Sequence, residues 1–387
     1  MRNLQWRALA TVTWILAASS ALAAEGRQCE LRLDPPAAVL GVVPARAQLR
    51  QELDEPPHFA MRFLGPRAGA AQDTEGDVPL AIHVVEPSAR RNTVAGERLS
   101  RAVVTQQRIV ALVDGALQAG PIGGPLKTLL ANVGEAGFDA VDVGTATWVL
   151  LADRLGVRLG RIDKAAKGDA LGRLVQLTPA RALAPRLVRL SSGAMAAAWV
   201  QCEHHDQASL WLVWIDATGK PRGAPQRLDE EDTAAEYCNI AIAAAGTAVE
   251  LAWAPPLLAT DLPAKRGEVT LEVRAFHVAP GASATAWPRE RVQAGTWNVA
   301  GSAGGLLPIG LQAVPVGSTV VFLWTEMLGN DKWRLRGLVP GAAAATLGDE
   351  SLRLGAIFAR TVGGSAWIYG AEDGALRRAR LRCVPAK

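Results

Sequence analysis

Two neighbouring stretches, 202–206 and 229–238, carry the side chains most suited to chemistry in this sequence. The first reads Cys-Glu-His-His-Asp; the second begins Asp-Glu-Glu-Asp and ends Glu-Tyr-Cys. Imidazole suits zinc or copper and clustered carboxylates suit calcium, so a divalent metal site is one alternative. Its ligands would come from His204, His205, Asp206, Asp229 and Asp232. Adjacent strand residues point to opposite sides, and neither HExxH nor paired CxxC is present, so we expect a solvated charged loop without a cofactor.

Hydrolysis by a pair of carboxylates is the second chemistry that the composition allows. The candidate acidic residues are Asp139, Asp153, Asp206, Asp232, Asp261 and Glu326. Nothing in the sequence brings two of them to working distance. A nucleophilic serine has less support, because Gly-x-Ser-x-Gly is absent and residues 301–304 only approach it. A carboxylate-dependent hydrolase or lyase is therefore the second hypothesis.

The unit that positions these stretches spans residues 186–228. A turn at Ser191-Ser192-Gly193 separates two apolar strands, a third strand covers 210–215, and the turn 216–219 precedes a last strand. The third strand is apolar on both faces, so both of its faces must be covered. Four-stranded sheets stacked face to face provide that cover in the blades of a β-propeller.

Weaker copies of this unit recur, each with a glycine-containing turn and a short apolar strand that bears tryptophan. The marker residues are Trp148, Trp199, Trp253, Trp324 and Trp367, which are 51, 54, 71 and 43 residues apart. Such a period is typical of propeller arrays, and we expect each indole to fill the space between two blades. In 101–137, Asp114-Gly115 between two apolar runs favours a hairpin over a helix.

The sequence therefore predicts an all-β fold, a β-propeller of six or seven four-stranded blades closed by N- and C-terminal strands. Seven blades are favoured, because residues 25–387 divided by seven give about 52 per repeat, against roughly 40 to 50 in common propeller repeats. We expect one domain over 25–387 with Pro- and Gly-rich insertions.

One face of such a propeller would gather the charged stretches. In a blade, the loop between the second and third strands opens on the same face as the loop to the next blade, so 202–206 and 229–238 would meet there. The polar loops 254–267 and 325–332 would join them. The predicted binding rim consists of His204, His205, Asp206, Asp229, Asp232, Asp261, Glu326 and Asp331.

Four cysteines in an exported chain predict two disulfides, for which three pairings exist. A ring-shaped fold must bring its two ends together, which favours Cys29 with Cys383. The second pair would then be Cys202 with Cys238, at the rim.

The pattern Leu-x-x-Gly…Ala-Trp…Trp-Ile-Asp-x-x-Gly-x-Pro, over 190–221, resembles the repeat of secreted bacterial β-propeller proteins. The resemblance implies architecture and no particular activity. Sialidases also place Asp and Gly in a blade turn, but here Lys220-Pro221 follows instead of an aromatic residue. No Trp-Asp or Gly-His pair of the WD40 type is present.

The N-terminus predicts export. Arg2 and Arg7 precede an apolar run, and Ala21-Leu22-Ala23 offers a cleavage site, so residues 1–24 are expected to be a cleaved signal peptide. Removing these two arginines from 41 basic residues leaves 39 against 37 acidic ones, a net charge of +2. This near balance argues against nucleic acid as a partner. We expect a secreted or periplasmic monomer without a membrane span.

The leading functional hypothesis is a non-enzymatic binding module. Its loop-bearing face would contact a protein or carbohydrate partner. The alternative remains an extracellular hydrolase or lyase on the same face.

Overall fold

The structure is a computed structural model of the full chain. It describes residues 29–35, 37–42, 48–52, 60–64, 81–84, 90–93, 99–121, 124–133, 137–165, 168–204, 207–232, 238–255, 267–297, 311–329, 332–347, 357–362, 365–372 and 375–385. These residues form strands and turns and contain no helix. Within these ranges, accordingly, no helix has the length and apolarity that crossing a membrane requires.

The described strands form seven antiparallel sheets, in which most strands pair with the strand that precedes or follows them along the chain. Two N-terminal strands, β1 (Cys29–Leu33) and β2 (Ala37–Val42), belong to the last sheet. Sheet 1 contains β3 (Gln48–Glu52), β4 (Ala60–Leu64), β5 (Ala81–Val84) and β6 (Arg90–Thr93). Sheet 2 contains β7 (Leu99–Val104), β8 (Arg108–Val113), β9 (Ala116–Pro121) and β10 (Lys127–Leu130). Sheet 3 contains β11 (Gly137–Val143), β12 (Ala146–Asp153), β13 (Gly156–Ala165), β14 (Gly168–Leu171) and β15 (Val175–Thr178).

The remaining sheets continue this order along the chain. Sheet 4 contains β16 (Ala182–Arg189), β17 (Met195–His204), β18 (Gln207–Ile215) and β19 (Gln226–Glu231). Sheet 5 contains β20 (Asn239–Ala245), β21 (Ala248–Ala254), β22 (Gly267–Val278), β23 (Thr285–Ala286) and β24 (Glu290–Trp297). Sheet 6 contains β25 (Gln312–Val316), β26 (Thr319–Gly329), β27 (Lys332–Leu338) and β28 (Ala345–Leu347). Sheet 7 contains β29 (Ile357–Val362), β30 (Ser365–Glu372) and β31 (Ala375–Pro385) together with β1 and β2.

The core lies between successive sheets. Buried apolar residues of sheets 2 and 3 pack together, and the same holds for each following pair up to sheets 6 and 7. Strand β18 contributes to both of its neighbours, because Leu210 and Leu212 pack towards sheet 5 whereas Val213 and Ile215 pack towards sheet 3. The predicted covering of both strand faces is confirmed here.

The first strands of the sheets contact one another in sequence. Strand β7 contacts β11, which contacts β16, and the series continues through β20 and β25 to β29. Strand β3 of sheet 1 contacts both β29 and β7. The most N-terminal described sheet therefore lies beside both the last sheet and sheet 2.

The predicted hairpin at Asp114-Gly115 is confirmed. Strands β8 and β9 flank these two residues and pair from Arg108 opposite Pro121 to Val113 opposite Ala116. Both central residues have positive φ, 50° and 71°, as a type I′ turn requires.

The five marker tryptophans do not all occupy equivalent positions. Trp199, Trp253 and Trp324 are fully buried, and each packs in the cluster shared with the preceding sheet. Trp253 and Trp324 are the sixth residues of their strands, whereas Trp148 and Trp367 are the third. Since a shift of three positions reverses the face of a strand, Trp148 packs towards the following sheet. The predicted equivalence therefore does not extend to all five.

The two ends of the described chain meet in sheet 7. Strand β1 pairs antiparallel with β31, with Leu31 opposite Cys383 and Cys29 opposite Pro385. Cys383 is assigned as a disulfide-bonded cysteine. The side chain of Cys29 lies outside the described residues, so its pairing with Cys383 stays a prediction.

Candidate functional site

The two edges of the sheets differ in the length of their connections. On one edge, which we call the turn edge, first and second strands are joined by short segments such as 144–145, 246–247 and 317–318. On the opposite edge, the loop edge, the chain passes between second and third strands and from sheet to sheet. There the segments 232–238, 255–266, 298–311 and 348–356 join strands of sheets 4 to 7. Apart from 216–225, which joins the third and fourth strands of sheet 4 on the turn edge, the long connections of these sheets thus share the loop edge.

The predicted rim residues lie along this loop edge or outside the described residues. His204 ends β17 and Glu326 lies in β26, and only their backbones are described. Asp229 lies in β19, and the exposed Asp232 follows that strand directly. The other predicted members, His205, Asp206, Asp261 and Asp331, lie outside the described residues. Among the described residues, no group of three or more His, Cys, Asp or Glu side chains is arranged to hold a metal ion.

Asp229 joins two sheets. Its Oδ2 accepts a hydrogen bond from Trp253 Nε1 at 2.9 Å and another from Arg274 NH1 at 3.0 Å. The Arg274 guanidinium carbon also lies 5.9 Å from the centroid of the Trp253 ring, within cation–π range. The carboxylate that the sequence suggested for a binding rim therefore ties the last strand of sheet 4 to sheet 5.

Arg274 is the centre of this inter-sheet cluster, and its side chain is only 5% exposed. It also pairs with Glu231, and with Glu272 at 3.2 Å, while the exposed Arg289 pairs with Glu272 at 3.3 Å. Burial acts to lower the pKa of Arg274, but hydrogen bonds to Glu231 and Asp229 outweigh it, so the pKa is raised. The guanidinium therefore stays charged inside the protein.

Sequence reasoning missed Arg274, although a signal was present. An arginine between Val273 and Ala275, in a strand otherwise apolar at these positions, requires buried carboxylate partners. The nearby acidic run 229–232 was assigned to the rim instead. Its residues Asp229 and Glu231 are those partners.

The aspartates of sheet 3 that were candidates for hydrolysis are held by structural bonds. The buried Asp139 accepts from the backbone N–H of Leu187 at 2.7 Å and from that of Ala140. Asp153 accepts from the backbone N–H of Leu155 and pairs with Arg158. Asp139 therefore links β11 to β16, and Asp153 fixes a turn at the loop edge.

A buried carboxylate orients one histidine near the turn edge of sheet 5. Glu250, whose side chain is 4% exposed, lies 2.9 Å from His277 Nδ1 and accepts a hydrogen bond from Trp287 Nε1 at 3.3 Å. Since an ionised carboxylate only accepts hydrogen bonds, this contact favours the His277 tautomer that carries its proton on Nδ1. His277 is thus a half-buried member of a carboxylate–imidazole pair.

Cys202 and Cys238 pack against the same apolar cluster between sheets 4 and 5. The structure assigns both as thiols. The predicted cystine between them is therefore not formed in this structure. Both side chains pack among apolar neighbours, where cysteine behaves as a small apolar residue.

No protein-family model and no curated protein matches the sequence. Several solved structures are similar to this chain over most of both chains. Hydrazine synthase from Kuenenia stuttgartiensis is 10% identical, with a TM-score of 0.51, covering 82% of this chain and 99% of the other.

Two further similar structures are a lectin and a WD40 domain. The Aleuria aurantia lectin, in complex with a fucose-containing disaccharide, is 12% identical with a TM-score of 0.42, covering 73% and 94%. The WD40 domain of SCAP from fission yeast is 8% identical with a TM-score of 0.44, covering 92% and 98%. At such identities the likeness concerns the fold alone. The described residues of the chain themselves form an all-β protein of repeated sheets of four or five strands.

Proposed function

We propose that the protein is an exported, non-enzymatic β-propeller of seven blades that binds a protein or carbohydrate partner through its loop edge. Residues 1–24 would be removed on export, and residues 25–387 would form the one domain. The mature protein would act as a secreted or periplasmic monomer. The predicted rim residues would contribute to the contact.

The contacts of sheet 1 support the ring. Its first strand touches those of sheets 7 and 2, and the first strands of sheets 2 to 7 touch in series. Pairing of β1 with β31 would hold the closed ring, because it puts both chain ends into one sheet.

The observation that carries the proposal is the concentration of long connections on one edge of consecutive sheets. Segments 232–238, 255–266, 298–311 and 348–356 all belong to the loop edge of sheets 4 to 7. Loops that a rigid scaffold presents side by side are the usual place for binding residues. Apart from 216–225, the turns of the opposite edge are shorter and offer less variable surface.

The described carboxylates favour binding over hydrolysis. A hydrolase needs two carboxyl groups free to meet a substrate. Asp139, Asp153 and Asp229 are instead bonded to backbone N–H groups, arginines or an indole. Each would have to break a structural bond in order to react.

Loop replacement tests the proposal. The mature protein and a variant with 256–266 replaced by a short Gly-Ser linker would be screened against glycan and peptide panels for binding and for turnover. Arg222→Glu, an exposed change on the turn edge, is the matched control. We expect a ligand that the protein and the control bind and the loop variant does not, with no product formed. Turnover that is lost on replacing a loop-edge Asp or Glu would favour the hydrolase.

A further inference from the structure

Sheet 3 carries two exposed apolar side chains at one corner of its loop edge. Among the described residues, Leu155 and Val175 are the large apolar residues that are exposed, by 65% and 40%. Leu155 lies in the hairpin that joins β12 to β13, and Val175 begins β15. The carbonyl oxygen of Leu155 accepts a hydrogen bond from Gln176 Nε2 at 2.7 Å. The hairpin and β15 therefore lie side by side.

This hairpin is firmly held although it is exposed. Asp153 Oδ1 accepts a hydrogen bond from the backbone N–H of Leu155 at 2.7 Å, and Asp153 Oδ2 pairs with Arg158. Gly156 has φ +108°, and a Cβ there would lie 2.0 Å from the carbonyl oxygen of Thr178. The side chain of Leu155 is thus presented on a fixed backbone. A partner that buries it loses little affinity to ordering of the hairpin.

The residues of this hairpin differ from those at the corresponding place in other sheets. Two residues also join the second and third strands in sheets 2, 4, 6 and 7, and each of these connections includes an aspartate. They are 114–115, 205–206, 330–331 and 373–374. In sheet 3 the connection is Arg154-Leu155. Since two-residue turns favour Asp, Asn and Gly, the turn itself does not require a leucine.

The accessible charge at this corner comes from arginine. Arg154 and Arg173, which lies two residues before Val175, are both exposed. Asp153 is the acidic residue of the hairpin, but its side chain is only 10% exposed and is paired with Arg158. Two apolar side chains and two guanidinium groups therefore face solvent together. We call Arg154, Leu155, Arg173 and Val175 the sheet 3 corner.

We propose that the sheet 3 corner binds a protein partner through an exposed segment in which acidic residues flank a large apolar side chain. Burial of Leu155 and Val175 removes apolar surface from water, and the flanking carboxylates meet the two guanidinium groups. Complementary charge also selects such a segment over other apolar segments. A sugar ring fits less well, because the four residues include no aromatic ring to attract its C–H groups.

The inference rests on the proposed function, because it names the kind of partner for one part of the loop edge. It chooses a protein over a carbohydrate, and it assigns the contact to sheet 3.

Selection of peptides on the immobilised mature protein, from a displayed library of random sequences, tests this inference. We expect enriched peptides to carry Asp or Glu on both sides of Leu, Ile or Phe. Leu155→Ser should weaken the binding of an enriched peptide at least about tenfold, the lower end of the effect of burying one leucine side chain. Arg154→Glu should weaken it at least about tenfold at low salt, and by less as salt rises.

Arg222→Glu on the turn edge is the matched control for Arg154→Glu, because each reverses the charge of an exposed arginine. It should change the affinity for the peptide by less than about twofold. Val175→Ser is the second variant at the corner and should weaken binding in the same direction as Leu155→Ser. If Leu155→Ser unfolds, Val175→Ser is the readout, and an unchanged affinity would contradict the proposal.

Further outcomes separate this inference from the proposed function. Equal affinity of Leu155→Ser and the wild-type protein would exclude the corner as the site. Enriched peptides without acidic residues, or acidic peptides without an apolar residue, would overturn the stated chemistry of the partner. Loss of peptide binding in the loop variant 256–266 but not in Leu155→Ser would leave the proposed function intact and overturn this inference. Loss in Leu155→Ser alone would support the corner and remove 256–266 from the contact.

Discussion

Two buried tryptophans at related positions differ in the hydrogen bonding of the indole Nε1. Trp253 Nε1 donates a hydrogen bond to Asp229, whereas Trp199 Nε1 is buried without an acceptor among the described residues. Both side chains are fully buried between sheets. A buried N–H without an acceptor costs free energy that a bonded one does not. The two indoles therefore contribute similarly to packing, but only the indole N–H of Trp253 contributes a hydrogen bond.

Trp253→Phe and Trp199→Phe form a matched pair, because each removes the same atoms from a packed site. We expect Trp253→Phe to lower the free energy of unfolding by about 1–3 kcal/mol more than Trp199→Phe, which removes an unbonded donor. Urea unfolding of both variants measures this difference. Equal losses would mean that the bond to Asp229 contributes nothing.

Arg274 is the residue whose loss should do most damage in the described inter-sheet clusters. Arg274→Met leaves Asp229, Glu231 and Glu272 close together without their shared cation. Breaking a buried ion pair on one side costs about 3–5 kcal/mol, and we expect a loss of that order in unfolding free energy. Arg289→Met, which removes an exposed partner of Glu272, should change it by less than about 1 kcal/mol. Similar values for the two variants would contradict the central place of Arg274.

At the scale of elements, the turn 216–221 docks onto the preceding sheet. Gly219 has φ +86°, and a Cβ there would lie 2.0 Å from Cη2 of Trp148. No aromatic residue directly follows this turn in the sequence. The aromatic ring that packs against the turn is that of Trp148, in sheet 3. Gly341 and Trp287 repeat the contact between sheets 6 and 5, with a Cβ 3.3 Å from the ring.

Gly219→Ala and Gly223→Ala separate this contact from backbone strain. Both glycines have φ +86°, but a Cβ at Gly223 would meet nothing within 4 Å. Each alanine should cost about 1–2 kcal/mol for the left-handed backbone. Gly219→Ala should cost about 1–3 kcal/mol more, because the new methyl group displaces Trp148. Thermal unfolding of both measures the difference, and indistinguishable Tm values would show that the indole moves aside freely.

The same turn should respond to pH through Asp216. Its Oδ1 accepts from the Thr218 hydroxyl at 2.6 Å and from the backbone N–H of Lys220 at 3.0 Å. These bonds, the hydroxyl first, hold the pKa of Asp216 below its ordinary value.

A carboxyl with a lowered folded-state pKa stabilises the fold above its unfolded pKa and loses that effect as pH falls through the folded value. Asp216→Ala should therefore lower Tm at pH 7, and the deficit relative to wild type should shrink below about pH 4. The exposed Asp232→Ala serves as control and should keep the wild-type Tm. A deficit that is the same at all pH values would rule out the charged bonds as its origin.

At the scale of the whole molecule, the repeat could be predicted from the sequence because it depends on local patterns. Asp114-Gly115 marks its hairpin by turn chemistry alone, and the apolar strand 210–215 requires a neighbour on each face. The inter-sheet contacts depend on the strand face that a residue occupies, because each face of a sheet packs against a different neighbouring sheet. A three-residue difference in position sends Trp148 to the opposite neighbour from Trp253, and no local pattern marks that difference.

The candidate site was less predictable for the same reason. Asp229 and Arg274 are 45 residues apart in the sequence and meet only because two sheets pack.

Joining of the chain ends is the whole-molecule feature with the sharpest test. Strands β1 and β31 pair, Cys29 begins β1, and Cys383 lies opposite Leu31. A cystine between Cys29 and Cys383 would close a loop of nearly the whole mature chain, which restricts the unfolded state most. We expect non-reducing peptide mapping to recover Cys29 linked to Cys383.

Stability measurements test the same cystine independently. Adding a reductant should lower the Tm of the wild-type protein, and Cys383→Ser should lower it without reductant, each by an amount that corresponds to about 2–5 kcal/mol. The reductant should then have no further effect on Cys383→Ser, whereas Cys202→Ser should keep the wild-type response. If Cys383→Ser remained sensitive to reductant, a different cystine would be present, and the pairing of β1 with β31 would have to hold the chain ends by backbone hydrogen bonds alone.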